Sequence, residues 1–201
     1  KPYSLENYSN PSSVYSFAGE AKKAMEDARK VIADSLGAAA TEIYFTGGGS
    51  ESDNWVLKGV AEAYSSKGKH IITSKIEHHA ILHTCEYLEK HGYEVTYLDV
   101  DEEGLVSPEE VEKAIRPDTI LISIMFANNE IGTIEPIKEI GEIAHKHDIL
   151  FHTDAVQAYA HVPINVQEMN IDLLSCSAHK FHGPRGVGFL YAKRGIPLTS
   201  I

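Results

Sequence analysis

The sequence is poor in cysteine, in positive charge and in long apolar runs. Only Cys85 and Cys176 are cysteines, which is too few for a disulfide framework and is typical of a reducing cytosol. The net charge is −11 and the basic residues form no stripe, so neither nucleic acid nor an anionic membrane surface is expected as a partner. The longest strongly apolar run, residues 119–127, is too short to cross a bilayer. These absences predict a cytoplasmic protein.

Length and composition predict a single domain. The chain has 201 residues, of which 43% are apolar and 23% charged, as in ordinary globular proteins with one substantial core. It contains no visible repeat, low-complexity segment or linker, so residues 1–201 are expected to form one domain. Because the chain begins at Lys1 without a methionine and stops at Ile201, it is expected to be part of a longer protein.

Short apolar segments rich in β-branched residues alternate with amphipathic ones. The predicted strands are residues 42–46, 70–74, 94–99, 119–126, 149–153 and 172–177. The predicted helices are residues 16–37, 80–91, 108–116, 137–147 and a segment from the glycine run to about residue 65. This alternation predicts an α/β domain in which helices flank a mostly parallel central sheet. Ligands of such sheets usually bind beyond the carboxyl ends of the strands.

A glycine run, "GGGSESDN", follows the first predicted strand. Its glycines allow the backbone to approach a ligand closely, and Ser50 can cap the helix that begins there. Exposed N–H groups and the helix dipole would make this end an anion or phosphate site. The pattern is neither the dinucleotide fingerprint nor the P-loop, and a glycine-rich turn with a serine cap is the structural alternative.

Three histidines follow the second predicted strand, in "KIEHHAILH". At a strand end, the ring of His78 could stack on a planar ligand or carry protons. His79 and His83 are four residues apart and would share a helix face, as in some metal sites. However, the H-E-x-x-H pattern of zinc hydrolases is absent, so no metal is expected, and these two histidines are interpreted as surface residues.

Polar side chains also follow the later predicted strands. Asn128 and Asn129 open a loop after the fourth strand, where asparagines commonly serve as turn residues. Asp154 follows the fifth strand, and Gln157 comes three residues later. Three more such residues stand after the sixth strand: Ser177, His179 and Lys180.

This set of groups matches the chemical needs of pyridoxal phosphate. A lysine amine forms a Schiff base with the cofactor aldehyde, and an aspartate paired with the pyridinium N–H keeps the ring protonated as an electron sink. Lys180 could supply the amine, and Asp154 could supply the carboxylate. The loop at residues 48–50, together with Ser177 and His179, could supply the backbone and side-chain donors that a phosphate needs.

Five motifs resemble those of one protein family. They are "EIYFTGGGSESDN", "KHIITSKIEHHAIL", "ISIMFANNEIGTI", "FHTDAVQA" and "LLSCSAHKFHGPRGVGFLY". They are distributed along the chain from residue 42 to residue 191, and the chain resembles the pyridoxal-phosphate enzymes of the class-V aminotransferase family. The resemblance is strongest to the cysteine desulfurases of the iron–sulphur-cluster and nitrogen-fixation type. It implies the large domain of the fold type I transferases, with three layers and a mixed, mostly parallel central sheet.

The resemblance also implies a role for each candidate residue. Lys180 would carry the Schiff base and Asp154 would bind the pyridine nitrogen. Gln157 would hydrogen-bond the ring hydroxyl beside Asn129, and His78 would stack on the ring and take part in proton transfer. The implied phosphate ligands are Gly49, Ser50, Ser177 and His179.

The chain departs from the family pattern in several places. The family loop reads T-S-G-A-T-E-S, whereas residues 46–52 read T-G-G-G-S-E-S. Ser50 keeps the hydroxyl, so phosphate binding is expected to survive, and the extra glycines are mildly unfavourable through the entropy of the unfolded chain. The family's N-terminal alanine–threonine–threonine segment is missing. The small C-terminal domain, its substrate-binding arginine and its sulphur-accepting cysteine are expected beyond residue 201, and neither Cys85 nor Cys176 stands at the acceptor's position.

The activity implied by the resemblance is conversion of L-cysteine to L-alanine, with the sulphur passed through an enzyme persulfide to an acceptor or scaffold protein for iron–sulphur cluster assembly. A homodimer is implied for the full-length protein, and no turnover is expected from residues 1–201 alone.

A selenocysteine lyase or an aminotransferase would carry most of the same residues. A cofactor-free scaffold that binds partner proteins and a metal hydrolase are the alternatives from other classes. An intact Lys180 and Asp154 argue against the scaffold.

Overall fold

The computed structural model describes residues 16–199, in which helices and strands alternate. The helices are α1 (Ser16–Leu36), α2 (Gly49–Ala63), α3 (His79–Glu89), α4 (Pro108–Ala114) and α5 (Ile137–Lys146). The strands are β1 (Ile43–Thr46), β2 (His70–Ser74), β3 (Glu94–Leu98), β4 (Thr119–Ser123), β5 (Leu150–Asp154), β6 (Leu173–Ser177) and β7 (Gly188–Ala192). Short 3₁₀ turns span Ala40–Glu42 and Ala178–Phe181. No helix in this part of the chain is long and apolar enough to cross a membrane.

The seven strands form one mixed sheet in the order β1-β7-β6-β5-β4-β2-β3. β7 is antiparallel to both β6 and β1, and the other neighbours are parallel. Strands β2 to β6 therefore end at the same edge of the sheet, where the polar residues predicted from the sequence are brought together.

The two faces of the sheet are covered by different helices, because alternate strand residues point to opposite sides. One core joins α2 and α3 to strand residues such as Leu121 and Leu173. The other joins α1, α4 and α5 to residues such as Ile122, Phe151 and Leu174. The result is the three-layer α/β architecture with a mostly parallel sheet that the sequence predicts.

The predicted elements are confirmed, with differences at their ends. All five helices and six of the seven strands were predicted within about three residues of their observed bounds. The strand predicted for residues 119–126 stops at Ser123, and β7 was not predicted. The expectation that Ser50 caps α2 is wrong: the N-cap is Gly48, and Ser50 is the second residue of the helix. The chain enters the helix early because Gly48 has φ 154° and ψ −178°, a conformation that only glycine adopts readily.

Candidate active site

A cavity of about 220 Å³ lies at the carboxyl ends of the parallel strands. All nine residues predicted for the cofactor site line it, and they come from α2 and from the segments that follow β2, β4, β5 and β6. Three further lining residues, Asp53, Met125 and Val156, were not predicted. The parallel strands therefore bring the candidate residues into one site, although they are spread over more than 130 positions of the sequence.

Close backbone packing fixes the glycine loop at one end of the cavity. A Cβ atom on Gly188, at the start of β7, would lie only 2.6 Å from the Cα of Gly48 and 2.5 Å from the carbonyl oxygen of Cys176. Glycine at position 188 thus allows β7 to run directly beneath the loop. A Cβ atom on Gly49 would lie 2.5 Å from Cγ2 of Val156, so an alanine at this position, as in the family loop, would require the Val156 side chain to shift.

The same end of the cavity is rich in hydrogen-bond donors. Gly49 and Ser50 open α2, and the N–H groups of a helix's first turn have no acceptor within the helix. Ser177 ends β6, and its hydroxyl lies 2.9 Å from Nδ1 of His179. Backbone N–H groups, a hydroxyl and an imidazole together fit an anion such as a phosphate group.

Asp154 also lines the cavity and is buried, with 5% of its surface exposed. Its Oδ1 accepts a hydrogen bond of 2.9 Å from the backbone N–H of Val156, and it forms no ion pair within residues 16–199. Burial raises the pKa of Asp154, while the Val156 N–H and the neighbouring His78 and Lys180 act in the opposite direction. A ligand with a cationic N–H group would give this carboxylate the partner it lacks.

Lys180 lies on the 3₁₀ turn after β6, and its backbone is held at several points. Its carbonyl oxygen lies 3.1 Å from Nε2 of His161. The N–H of Ala178 donates to the carbonyl oxygen of Val187 at 2.9 Å, which closes the base of the loop. In the described part of the chain, the Lys180 amine has neither a hydrogen bond nor an ion pair, so a rigid backbone presents an unengaged amine to the cavity.

His78 has a structural role as well as a position in the cavity. It is the N-cap of α3, and its Nδ1 accepts a hydrogen bond of 3.1 Å from the N–H of Ala80. The cap uses Nδ1 and leaves Nε2 free of this contact. His79 and His83 are exposed, with ring centroids 5.2 Å apart. No group of three or more metal-ligating side chains is found among residues 16–199.

The two asparagines after β4 have different surroundings. Asn128 is a turn residue: its Oδ1 accepts hydrogen bonds from the N–H groups of Glu130 and Ile131, at 2.8 and 3.1 Å. Asn129 instead lines the cavity, as does Gln157 in the turn after β5. The asparagine pair therefore divides into one residue that builds the loop and one that faces the site.

The sequence analysis did not single out Asp53, which is buried within α2 and lines the cavity. The stretch "SESDN" is typical of a solvated helix start, so the burial of its aspartate was not expected. One signal was available, because Asp53 shares the helical spacing of the core residues Val56, Leu57 and Val60.

Glu77, in the segment between β2 and α3, is a second buried acid that was missed. Its Oε1 accepts hydrogen bonds from the Ser74 hydroxyl at 2.7 Å and the Met125 N–H at 2.9 Å, while its buried Oε2 has no partner in the described structure. Burial raises the pKa of Glu77 to about 8. The nearby charge of Asp154 also raises this pKa, and at neutral pH Glu77 is mainly uncharged.

Comparison with known proteins identifies the relatives of this chain. Two curated relatives are cysteine desulfurases named IscS: that of Methanosarcina thermophila is 64% identical over 200 residues, and that of Clostridium botulinum (strain Kyoto / Type A2) is 62% identical over 200 residues. Each alignment covers 100% of this chain and 50% of the relative. The chain therefore spans about half the length of the curated relatives it matches.

Solved structures agree with these relatives. A structure described as SspA in complex with cysteine superimposes with a TM-score of 0.97 at 47% identity, covering 100% of this chain and 58% of the other. A NifS-like protein gives a TM-score of 0.96 at 44% identity, covering 100% and 55%. The family profile described as Aminotransferase class-V matches residues 1–197. The chain therefore belongs to the class-V aminotransferase family.

Proposed function

We propose that the complete protein is a pyridoxal-phosphate-dependent cysteine desulfurase, and that this chain forms its cofactor-binding large domain. The observation that carries the proposal is one cavity lined by a buried carboxylate, an unengaged lysine amine and the N-terminus of a helix. Identities of up to 64% with proteins named as cysteine desulfurases support the choice of reaction.

The donor set of the cavity fits pyridoxal phosphate. The N–H groups of Gly49 and Ser50, with Ser177 and His179, would hold the phosphate. Asp154 would pair with the ring N–H, which would relieve the cost of burying an unpaired carboxylate. The amides of Gln157 and Asn129 would bind the oxygen atoms on the edge of the ring.

Lys180 and His78 would perform the chemistry at the bound ring. The Lys180 amine would bind the cofactor aldehyde covalently. Once released from the aldehyde, the amine would remove the α-proton of the substrate, because Lys180 lines the cavity in which the substrate would bind. The ring of His78 would stack on the cofactor and take part in proton transfer. Pyridoxal phosphate itself supplies an electrophilic carbon and a protonated ring that accepts electron density from the substrate.

The proposal extends to substrate, partners and location. L-cysteine is the proposed substrate, supported by the similarity to a structure described as holding cysteine. The sulphur would pass to an acceptor or scaffold protein for iron–sulphur cluster assembly. A homodimer in the cytoplasm is the proposed state of the complete protein, which would use neither a metal nor nucleic acid.

The test is an absorbance scan of the complete protein with added pyridoxal phosphate, before and after borohydride, followed by peptide mapping. We expect a visible band that borohydride bleaches and a label on Lys180. Lys180→Ala should abolish the band and the release of alanine from cysteine, whereas the matched surface variant Lys75→Ala should keep both. Normal turnover in Lys180→Ala would overturn the proposal.

The two cysteines of this chain are not proposed as sulphur acceptors. Both are fully buried, Cys85 in α3 and Cys176 in β6. Burial raises the pKa of Cys85 to about 12 and also raises the pKa of Cys176, so neither thiol forms the reactive thiolate at neutral pH. In the complete protein, Cys85→Ala and Cys176→Ala should each release sulphide within about twofold of the wild-type rate. Loss of persulfide labelling in either variant would contradict this.

A further inference from the structure

A row of hydrogen-bonded polar side chains crosses the sheet beneath the cavity. His152 on β5 lies between Ser123 on β4 and Ser175 on β6. Its Nδ1 is 2.8 Å from the Ser123 hydroxyl, and its Nε2 is 2.9 Å from the Ser175 hydroxyl. All three side chains are fully buried. Both ring nitrogens of His152 are therefore already engaged by neutral groups.

Asp53 on α2 covers this row and has 1% of its surface exposed. Its Oδ1 lies 3.8 Å from Nε2 of His152, which is beyond hydrogen-bond distance, and has no hydrogen-bond partner in the described structure. Asp53 also lines the same cavity as Asp154, which follows His152 by two residues on the same face of β5. The two acids thus line one cavity and are close enough for their charges to interact.

Two arrangements of charge are conceivable for Asp53 and His152. A buried ion pair would require close contact to offset the loss of two hydration shells, and the 3.8 Å separation does not provide it. Burial raises the pKa of Asp53, and the negative neighbour Asp154 raises it further, while the nearby Ser175 hydroxyl acts in the opposite direction. Burial also lowers the pKa of His152 to about 3. Both shifts favour the uncharged forms of the two side chains, with the proton on Asp53.

The environment of Asp154 differs from that of Asp53. Asp154 is approached by His78 and Lys180, which favour its charged form, and it accepts the Val156 N–H. Asp53 lies near His152 and Glu77, and neither of these side chains brings a positive charge at neutral pH. Two adjacent carboxyl groups in a buried site do not both ionise at neutral pH. The different neighbours decide which one keeps its proton.

We propose that Asp53 is a positioning residue for the pyridine end of the cofactor: with neutral His152 it forms an uncharged acid–imidazole pair beside Asp154, which makes Asp154 the charged carboxylate that meets the ring nitrogen. The identity of the cofactor in this inference rests on the proposed function. The location of the proton does not, and it is measurable in the protein without cofactor.

The first experiment locates that proton. In the complete, cofactor-free protein labelled with ¹⁵N-histidine, the His152 signals are assigned by comparison with a His152→Asn variant and followed from pH 5 to 8. We expect the shifts of a neutral imidazole throughout, unchanged in Asp53→Asn. Imidazolium shifts that disappear in Asp53→Asn would mean an ion pair and would overturn the proposal.

The second experiment compares cofactor affinity by absorbance titration. Asp53→Ala should raise the dissociation constant of pyridoxal phosphate about tenfold, because Ser175 and His152 lose their neighbour and Asp154 loses its support. Asp53→Asn, which keeps a neutral group of the same shape, should restore the constant to within about twofold. The control Val60→Ala, in the core of the same helix, should lower stability without changing the affinity.

Two results of the titration would overturn the proposal. If Asp53→Asn weakens binding as much as Asp53→Ala, Asp53 acts through a negative charge. If Asp53→Ala binds as tightly as the wild type, the residue does not position the site. Failure of the wild-type protein to bind pyridoxal phosphate would instead overturn the proposed function, and the ¹⁵N measurement would still decide whether the pair is uncharged.

Discussion

The two faces of the central sheet differ most near the carboxyl ends of its strands. On the side of α1, α4 and α5, apolar side chains such as Phe151 and Leu174 fill the interior. On the side of α2, neighbouring positions of the same strands carry His152, Asp154 and Ser175. Because a strand sends alternate residues to opposite sides, one segment such as "LFHTD" can serve both the core and the site. At this edge of the sheet, the residues that stabilise the fold therefore lie on one face, and the residues proposed for the chemistry lie on the other.

The polar face, which is the α2 side of the sheet near the carboxyl ends of its strands, has a thermodynamic cost from buried acids. Buried oxygen atoms of Asp53 and Glu77 have no hydrogen-bond partner in the described structure, and each such atom opposes folding. Substitutions should therefore have opposite signs on the two faces: loss of stability on the apolar face, and gain on the polar face where a buried acid is neutralised.

The largest effect is expected on the apolar face. Phe151 is fully buried, and Phe151→Ala should lower the free energy of unfolding by about 4 kcal/mol, through lost apolar burial and the cavity left behind. Urea denaturation of the complete protein measures this loss, and the pyridoxal phosphate dissociation constant should stay within about twofold. A loss below about 1 kcal/mol would show that neighbouring side chains move to fill the space left by the Phe151 ring.

An effect of opposite sign is expected for Glu77→Gln. The folded-state pKa of Glu77, about 8, lies above its ordinary value of 4.5, so wild-type stability is fully present below about pH 4.5 and falls as the pH rises to about 8. Glutamine removes that fall while keeping the acceptor for the Ser74 hydroxyl. The variant should be more stable by on the order of 3 kcal/mol at pH 9 and nearly equal at pH 5.

Urea denaturation at the two pH values measures this difference. Equal pH dependence in the wild type and in Glu77→Gln would mean that Glu77 gains no proton on folding, and it would remove one of the acids that distinguish the polar face.

The smallest effect is expected away from both faces. Lys30 and Asp34 form an exposed ion pair of 2.6 Å on α1, where water and salt screen the attraction. Lys30→Ala should change the free energy of unfolding by less than about 0.5 kcal/mol. Thermal unfolding at low and high salt provides the measurement, and a larger loss would indicate that surface charge stabilises this helix more than is usual.

The sequence predicted most of the fold because its alternating pattern is regular. Strand β2 was predicted with its observed bounds, since "HIITS" is short, β-branched and flanked by polar residues. β7 was missed because "GFLYA" is short, begins with a glycine and directly follows the loop residues Gly183, Pro184 and Gly186. Its antiparallel direction depends on packing against β6 and β1, which periodicity does not encode.

The candidate site was predicted in part for a similar reason. Residues that follow strands were found because the carboxyl ends of parallel strands meet at one edge. Asp53 lies inside a helix, and His152 lies inside a strand, so neither stands at a position that the strand-end rule considers. The cap formed by His78 was also missed, because it depends on the ring orientation rather than on the spacing of residues.

The loop that carries Lys180 has a consequence for how the site forms. It connects the antiparallel neighbours β6 and β7, and the Ala178 to Val187 hydrogen bond joins its two ends. Closing so short a loop costs little entropy once the strands have paired. Amide hydrogens at the base of this loop should therefore exchange with solvent as slowly as those of the sheet, with or without a ligand. The loop would be folded before a ligand binds, so binding at the Lys180 amine would not require a disordered segment to become ordered.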